Sequence, residues 1–131
     1  MILGCRVDAV DIDRALDLVD GFIAEGTPRQ IVTLGTEMIV YAQRDAAYRD
    51  IVNASALSLC DTVGLLWASR LWAGPLRTRV AGVDFVEAIA RRAATKGTRL
   101  YLVGGAPGVA QQAARAPAIC RPGWRSASAR A

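Results

Sequence analysis

Apolar and polar positions divide most of the chain into short strands, each followed by an amphipathic segment. Residues 30–34 and 56–60 are apolar runs suited to buried parallel strands, and residues 99–103 predict a third. Near the start, residues 1–3 and 6–10 predict two short strands forming a hairpin, although residues 6–10 fit a direct lead into a helix equally well. The strand signals therefore recur along the whole body of the chain.

Helical spacing of apolar residues predicts a helix after each of these strands. Caps and stops come from residues that favour helix ends, such as Asp11, Gly26 and Gly97. The predicted helices lie between Asp11 and Gly26, from Glu37 with Thr36 as cap, over 46–53, over 63–72 before Gly74-Pro75, between Asp84 and Gly97, and from Pro107 or Gly108 onward. The helix over 63–72 is apolar on most sides, which predicts that it is buried.

Strands that alternate with helices predict one fold class. Because crossovers between parallel strands are right-handed, this order gives an α/β, Rossmann-like parallel sheet with helices on both faces. We expect this domain to cover residues 1–116. Residues 117–131 lack any sustained period and mix serine, alanine, arginine and proline, which predicts a disordered tail.

Composition excludes several classes of protein. The chain is 53% hydrophobic and 21% charged, as ordinary globular domains are, and its apolar runs are too short to span a bilayer. Without a secretory signal at the N-terminus, we expect a cytoplasmic protein. Cys5, Cys60 and Cys120 are odd in number and far apart, which argues against disulfides and zinc and favours small buried hydrophobes.

Charge and the missing histidine narrow the chemistry further. Three arginines and no acid fall in residues 117–131, so the net charge of +4 is largely a property of the tail and does not indicate a nucleic-acid partner. The chain has no histidine, which excludes Ser-His-Asp and Cys-His catalysis. Proton transfer near neutral pH then falls first to carboxylates.

Three predicted strand ends carry the candidate site. Ligands of open parallel sheets bind beyond the carboxyl ends of the strands, where unpaired helix amides attract phosphate. The residues at these ends that could hold a nucleotide phosphate are Thr36, Thr62, Gly104 and Gly105. Asp61 ends the second strand and faces the expected reacting centre, although it could instead simply cap the helix that begins near Val63.

Two other short motifs carry less weight. The spacing of "GGAPG" over 104–108 does not match a dinucleotide fingerprint, so no nicotinamide cofactor is predicted. Asp11 and Asp13 form an Asp-x-Asp pair of the kind that binds a metal in some sugar-nucleotide transferases. The same pair opens a helix, where acids favour the helix dipole, and that explanation is preferred.

Four blocks, taken in order and spacing, resemble one enzyme family. They are "IVTLGTEMIVYAQRD" (31–45), "LCDTVGLLWASRL" (59–71), "RVAGVDFVEAIARRA" (79–93) and "LYLVGGAPGVAQQAA" (100–114). Over residues 2–114 the chain resembles the WecG/TagA/CpsF glycosyltransferases.

The resemblance implies a function and roles for single residues. It implies inverting transfer of N-acetylmannosamine or a related hexose from a UDP donor to a polyprenyl-diphosphate-linked acceptor, without a metal or other cofactor, at the inner face of the cell membrane. The matching residues make Asp61 the general base, place Thr33 in the active site and put Arg79 near the donor diphosphate. With the resemblance, the strand-end residues Thr36, Thr62, Gly104 and Gly105 form the predicted donor-binding site. Two alternatives stay open: Thr33 as a strand-end hydroxyl that bonds backbone, and Arg79 as a solvated surface charge.

Departures from the family pattern leave alternatives open. Gly35 stands where many members have asparagine, and Thr62 where many have glycine. Further strands and helices of the family have no counterpart, so we expect a C-terminally truncated domain. The alternatives are an inactive fragment that only binds nucleotide and a non-enzymatic α/β interaction domain, and a homo-oligomer stays open.

Overall fold

The computed structural model describes residues 1–71 and 74–115. Over these residues the chain forms six helices and one parallel two-stranded sheet, a mixed α/β arrangement compatible with a Rossmann-like fold. In chain order the elements are α1 (Ile12–Glu25), β1 (Ile31–Leu34), α2 (Thr36–Ala42), α3 (Ala46–Ala54), β2 (Leu57–Cys60), α4 (Val63–Leu71), α5 (Gly82–Lys96) and α6 (Val109–Arg115). The predicted tail, 117–131, Cys120 and the predicted helix end at Trp72 lie outside the described residues.

The first helix follows its sequence signals closely. Asp11 caps α1 by accepting a hydrogen bond of 2.8 Å from the amide of Arg14, and Gly26 ends the helix in the left-handed conformation. Asp45 caps α3 in the same way through the amide of Tyr48. Since caps satisfy amides that the helix leaves unpaired, both helices begin where the sequence predicts a start.

Strand β2 is the better buried of the two strands. It pairs in parallel register with β1, Leu34 opposite Cys60, and all four of its residues are buried. On its other edge, the Ser58 carbonyl accepts from the Asp8 amide and the Cys60 carbonyl from the Val80 amide, both at 2.8 Å. Carbonyls two residues apart point to the same side of a strand, so β2 is bonded along both edges.

One face of this sheet packs on the hydrophobic core. Val32, Leu34 and Cys60 lie in the core cluster together with Ile39 of α2 and Leu65 of α4. Alternate residues of a strand face opposite sides, so Thr33 and Leu59, which pair in register, face away from that cluster. Burial of each large apolar side chain contributes about 1.5–3 kcal/mol, and this holds the two strands in their register.

The predicted N-terminal hairpin and the predicted cap of α2 are both wrong in detail. The hairpin reduces to a single bridge between Ile2 and Cys5, because Leu3 and Gly4, both at positive φ, close a two-residue turn. Thr36 does not cap α2. The helix begins at Thr36 itself, the N-cap position is Gly35, and no side chain bonds there.

The prediction that α4 is buried is also wrong. Leu65 and Ser69 are buried, but Val63, Trp67 and Leu71 are 52%, 60% and 77% exposed. An apolar composition shows that a helix can be buried, whereas burial itself depends on what packs against each side.

The predicted third strand, 99–103, is not present among the described residues. Tyr101 and Val103 are exposed, at 58% and 87%, so this segment is not the buried central strand that its composition indicates. A strand forms only with a partner to accept its hydrogen bonds, and a short apolar run does not specify that partner.

Two compact units divide the chain, Met1–Gly82 and Val83–Ala131. Nearly all of α5 and the whole of α6 belong to the second unit. Asp84, predicted to open a helix, lies in the first turn of α5, and α6 begins one residue after the predicted Gly108. Among the described helices, none is long and apolar enough to cross a membrane.

Candidate active site at the ends of the parallel strands

The carboxyl ends of β1 and β2 lie side by side in the first unit. Their last residues are paired, and the Asp61 amide donates to the Leu34 carbonyl at 3.1 Å, so the pairing extends one residue beyond β2. The two strand ends therefore present the loops that begin at Gly35 and Asp61 at one edge, as parallel pairing requires.

Asp61 is held by a backbone amide from a third segment. Its Oδ1 accepts a hydrogen bond of 3.0 Å from the Gly82 amide, and this bond is partly buried. Nearby, the bond from Val80 to Cys60 ties the same segment to β2. Among the hydrogen bonds of the described chain, none joins the Asp61 side chain to an α4 amide, so the carboxylate is oriented by residue 82 rather than by the helix that follows it.

Thr33 lies against the same glycine. A side chain built at Gly82 would place its Cβ 3.1 Å from Thr33 Oγ1 and 3.3 Å from the Thr33 methyl carbon. Thr33 and Asp61 lie on the same face of the sheet, because Thr33 pairs with Leu59 and Asp61 follows Leu59 by two residues. The structure thus brings Thr33 and Asp61 together around Gly82.

A second pair of hydroxyls joins the two loops. Thr36 Oγ1 and Thr62 Oγ1 share a hydrogen bond of 2.8 Å, and each follows its strand by two residues. Gly64 leaves room for this pair, since a Cβ at that position would lie 3.0 Å from Thr36 Oγ1. Both predicted donor-binding threonines are therefore neighbours at the strand ends.

The charge of Arg79 affects the pKa of Cys60, the last residue of β2. Burial raises the pKa of the Cys60 thiol, the Asp61 carboxylate raises it further, and the Arg79 guanidinium opposes both. Arg79 is itself exposed. The buried Cys60 thiol thus stays protonated, which removes it as a nucleophile and leaves the acid and hydroxyls as the reactive groups.

Gly104 and Gly105 lie in the second unit. Both adopt positive φ, at 116° and 78°, in the turn that precedes α6. Glycine adopts this conformation without the strain that a Cβ causes. The turn is present as predicted, but it does not follow a strand.

Two residues of the site were not found from the sequence. Gly82 provides the amide that holds Asp61, and the Glu37 carboxylate lies over Gly35, in the space where a side chain at position 35 would begin. The signals available in the sequence were the glycines in "AGVD" (81–84) and "LGTE" (34–37), because a residue without a side chain lets other groups approach its backbone closely.

The Asp-x-Asp pair at the start of α1 has a structural role. Asp11 is the N-cap, as helix-start chemistry predicts, and Asp13 lies in the first turn. In the described part of the chain, no three His, Cys, Asp or Glu side chains come together as a metal site would require. Cys5 and Cys60 are free and buried, as predicted.

The protein has an α/β fold. At the ends of its parallel strands, where such sheets bind ligands, lie the Asp61 carboxylate and the threonine hydroxyls. A model of the glycosyl transferase WecG/TagA/CpsF family matches residues 1–130 of the 131-residue chain. The chain therefore belongs to this family. Membership indicates a glycosyltransferase of cell-surface polysaccharide synthesis, with a sugar donor and an acceptor as substrates.

Proposed function

We propose that this chain carries the catalytic edge of an inverting glycosyltransferase with Asp61 as general base. The observation that carries the proposal is the orientation of Asp61, whose Oδ1 is held by the Gly82 amide beside Thr33. A base must be positioned before its pKa matters, and a rigid strand end with a backbone hydrogen bond supplies that positioning.

The proposed step is a single displacement. The acceptor hydroxyl oxygen bonds to the anomeric carbon of the donor sugar, and the bond from that carbon to the terminal phosphate oxygen of UDP breaks, its electron pair leaving with UDP. The hydroxyl proton passes to Asp61 Oδ2, since Oδ1 is engaged by Gly82. Arg79 and the Thr36 and Thr62 hydroxyls lie at the same edge and stabilise the departing diphosphate.

Substrates are proposed from the family. The donor is a UDP-linked hexose such as UDP-N-acetylmannosamine, and the acceptor is a sugar on a polyprenyl diphosphate, met by a cytoplasmic enzyme at the inner membrane surface. Gly104 and Gly105 are proposed to contact the donor through the backbone of their turn. Glu37 fills the space next to Gly35 and is proposed to contact the sugar in place of a side chain at position 35.

Asp61→Asn tests the assignment of the base. Transfer should fall by about 10²–10⁴-fold while UDP affinity stays near that of the parent, because the amide keeps an oxygen for the Gly82 hydrogen bond but cannot take the proton. The assays are release of UDP and formation of lipid product with UDP-N-acetylmannosamine, UDP-N-acetylglucosamine and UDP-glucose, together with calorimetric titration of UDP.

Asp11→Asn is the matched control. Asparagine caps a helix as well as aspartate does, so α1 should keep its stability and transfer should be unchanged. Loss of transfer in this variant would assign the reaction to the Asp-x-Asp pair instead. Equal transfer rates for Asp61→Asn and the parent would overturn the proposal, and UDP binding without any transfer by the parent would favour the nucleotide-binding alternative.

A further inference from the structure

The outer side of α4 carries a stripe of large apolar side chains. Val63, Trp67 and Leu71, which we term the α4 stripe, lie four residues apart, and each is more than half exposed. Gly64 and Arg70 are exposed on the same side of the helix. Contacts between proteins are enriched in tryptophan and arginine, and exposed apolar patches mark such contacts.

The α4 stripe is complementary to a second copy of itself. Trp67 lies midway between Val63 and Leu71, so a two-fold axis beside Trp67 sets one α4 antiparallel to another. Each Leu71 then packs on the Val63 of the other copy, and the two tryptophans pack on each other. Because packed helices lie about 8–10 Å apart, such a pair removes the stripes of both copies from water.

Charge favours this antiparallel direction. Between residues 51 and 83 the only acid is Asp61, two residues before α4, whereas Arg70 lies near the other end of the helix. Antiparallel pairing brings each Arg70 toward the Asp61 end of the other copy, and parallel pairing would instead bring the two arginines together. The dipoles of antiparallel helices also attract each other, since the partial charges at facing ends are opposite. A second copy of this chain is therefore the occupant that the stripe and its charges fit.

Antiparallel pairing also places Arg70 next to the candidate site of the second copy. Arg70 follows Trp67 by three residues and Gly64 precedes it by three, so Arg70 of one copy is level with Gly64 of the other. Thr62 precedes Gly64 by two residues, about 3 Å along the helix axis. Its hydroxyl shares a hydrogen bond with Thr36. The long Arg70 side chain thus ends within reach of this pair of hydroxyls.

We propose that α4 forms the interface of a two-fold dimer, in which Arg70 of each copy binds the donor diphosphate in the site of the other. The role of Arg70 rests on the proposed function, which assigns the diphosphate to the Thr36 and Thr62 hydroxyls. Within one copy, Arg79 already brings a positive charge to this edge. A departing diphosphate carries more than one negative charge, so a further cation from the other copy stabilises it more.

The expected strength of the dimer sets the range of its test. Three apolar side chains and one arginine on each copy offer less than the roughly 800 Å² per partner of a standard interface, so we expect a dissociation constant of about 10–100 μM. Sedimentation velocity from about 1 to 300 μM should show a reversible dimer of the parent. A parent that stays monomeric over this range overturns the proposal.

Trp67→Ser tests the α4 stripe as the interface. The substitution removes the central contact of the pair at an exposed position, so the dissociation constant should rise about tenfold or more while the unfolding temperature stays near that of the parent. Ile51→Ser is the matched control, because Ile51 is also an exposed apolar residue of a helix but lies on α3. Leu71→Ser repeats the test if Trp67→Ser unfolds. Equal dimerisation of the parent and the stripe variants, or an equal loss with Ile51→Ser, contradicts this interface.

Mixing two variants tests the exchange of Arg70 between copies. Arg70→Gln, which keeps the α4 stripe, should transfer about 10²-fold less than the parent, whereas Arg44→Gln, at an exposed arginine outside α4, should transfer normally. In an equal mixture of Arg70→Gln and Asp61→Asn, half of the dimers contain one copy of each variant. One site of such a dimer combines Asp61 with Arg70 of the other copy, so about a quarter of the parent's activity should return. Activity no greater than the sum of the two variants overturns the exchange.

Calorimetric titration of UDP separates this inference from the proposed function, because it needs no turnover. The parent should bind UDP about tenfold more tightly above the dissociation constant of the dimer than below it, and Arg70→Gln should lose that difference. Coupling of UDP binding to dimerisation without any transfer by the parent contradicts the proposed function alone. Transfer at the same rate per copy in monomer and dimer contradicts the role of Arg70 alone.

Discussion

At the scale of single residues, the important contacts join segments far apart in the chain. Asp61 bonds Gly82, twenty-one residues away, and Thr36 bonds Thr62 across twenty-six. Asp8 likewise contacts a distant segment, since its carboxylate accepts a hydrogen bond from the Ser58 amide of β2, fifty residues away. The same carboxylate forms an ion pair with Arg6. Each contact places a polar group where two or three backbone segments meet.

Gly82→Ala should impair transfer without unfolding the protein. The added methyl would lie 3.1 Å from Thr33 Oγ1, and Thr33, being β-branched, cannot easily turn away. Displacement of residue 82 also moves the amide that holds Asp61, so kcat should fall by about tenfold or more while UDP affinity changes little. Steady-state kinetics and calorimetry measure this. An unchanged kcat would show that Asp61 does not depend on this hydrogen bond.

Asp8 should make folding stability sensitive to acid. Burial acts to raise the pKa of Asp8, but hydrogen bonds from Arg6 and from the Ser58 amide, with the charge of Arg6, outweigh burial and lower it. The unfolded state then binds the proton more readily, so the stabilisation is present above the unfolded pKa, about 3.9, and is lost as the pH falls through the lower folded value.

Urea unfolding between about pH 6 and pH 3 measures this contribution. Asp8→Asn should be less stable than the parent near neutral pH and should lose less stability on acidification. Since both side chains keep partial contact with water, the ion pair itself contributes at most about 1 kcal/mol. Arg6→Gln should reproduce the effect, and parallel pH profiles for parent and Asp8→Asn would contradict it.

At the scale of elements, caps and glycines determine where the helices begin and end. α1 begins at a capping aspartate and ends at a glycine in the left-handed conformation. α2 has no side-chain cap, and its first residue, Thr36, uses its hydroxyl for Thr62 instead. A helix start that lacks its expected cap thus coincides with the candidate site, where the capping group has another partner.

Two glycines at the C-terminal half of α1 should respond in opposite directions to the same substitution. Gly21→Ala should stabilise the protein by about 0.5–1 kcal/mol, because the residue is exposed within the helix and a Cβ there meets no atom within 4 Å. Gly26→Ala should destabilise by about 1–2 kcal/mol, because φ is +68°. Urea denaturation followed by circular dichroism compares them. Equal signs would contradict the helix boundary at Glu25.

At the scale of the whole molecule, the first unit carries the sheet, the main core cluster and five of the seven predicted site residues. Met1–Gly82 contains Thr33, Thr36, Asp61, Thr62 and Arg79, whereas Gly104 and Gly105 belong to Val83–Ala131. The acid, the hydroxyls and the cation at the strand ends thus derive from one continuous stretch of about eighty residues.

The amino-acid sequence alone determined the α/β class, the family, most helix boundaries and the position of Asp61 at a strand end. The family follows from the four ordered blocks that resemble it, and the other properties follow from local signals: apolar periodicity, capping residues such as Asp11, and glycine at helix ends. They depend on neighbours within a few residues, and for that reason they can be predicted without knowing which segments meet.

The tertiary structure alone decided which segments meet. In the structure, Gly82 is the hydrogen-bond partner of Asp61. Trp67 is exposed, although it lies on a helix whose composition predicts burial. Residues 99–103 have no partner strand among the described residues. Strand pairing and burial depend on long-range contacts whose energy comes from the opposing surface rather than from the segment itself. A short apolar run therefore indicates that a segment can be buried, and the fold decides whether it is.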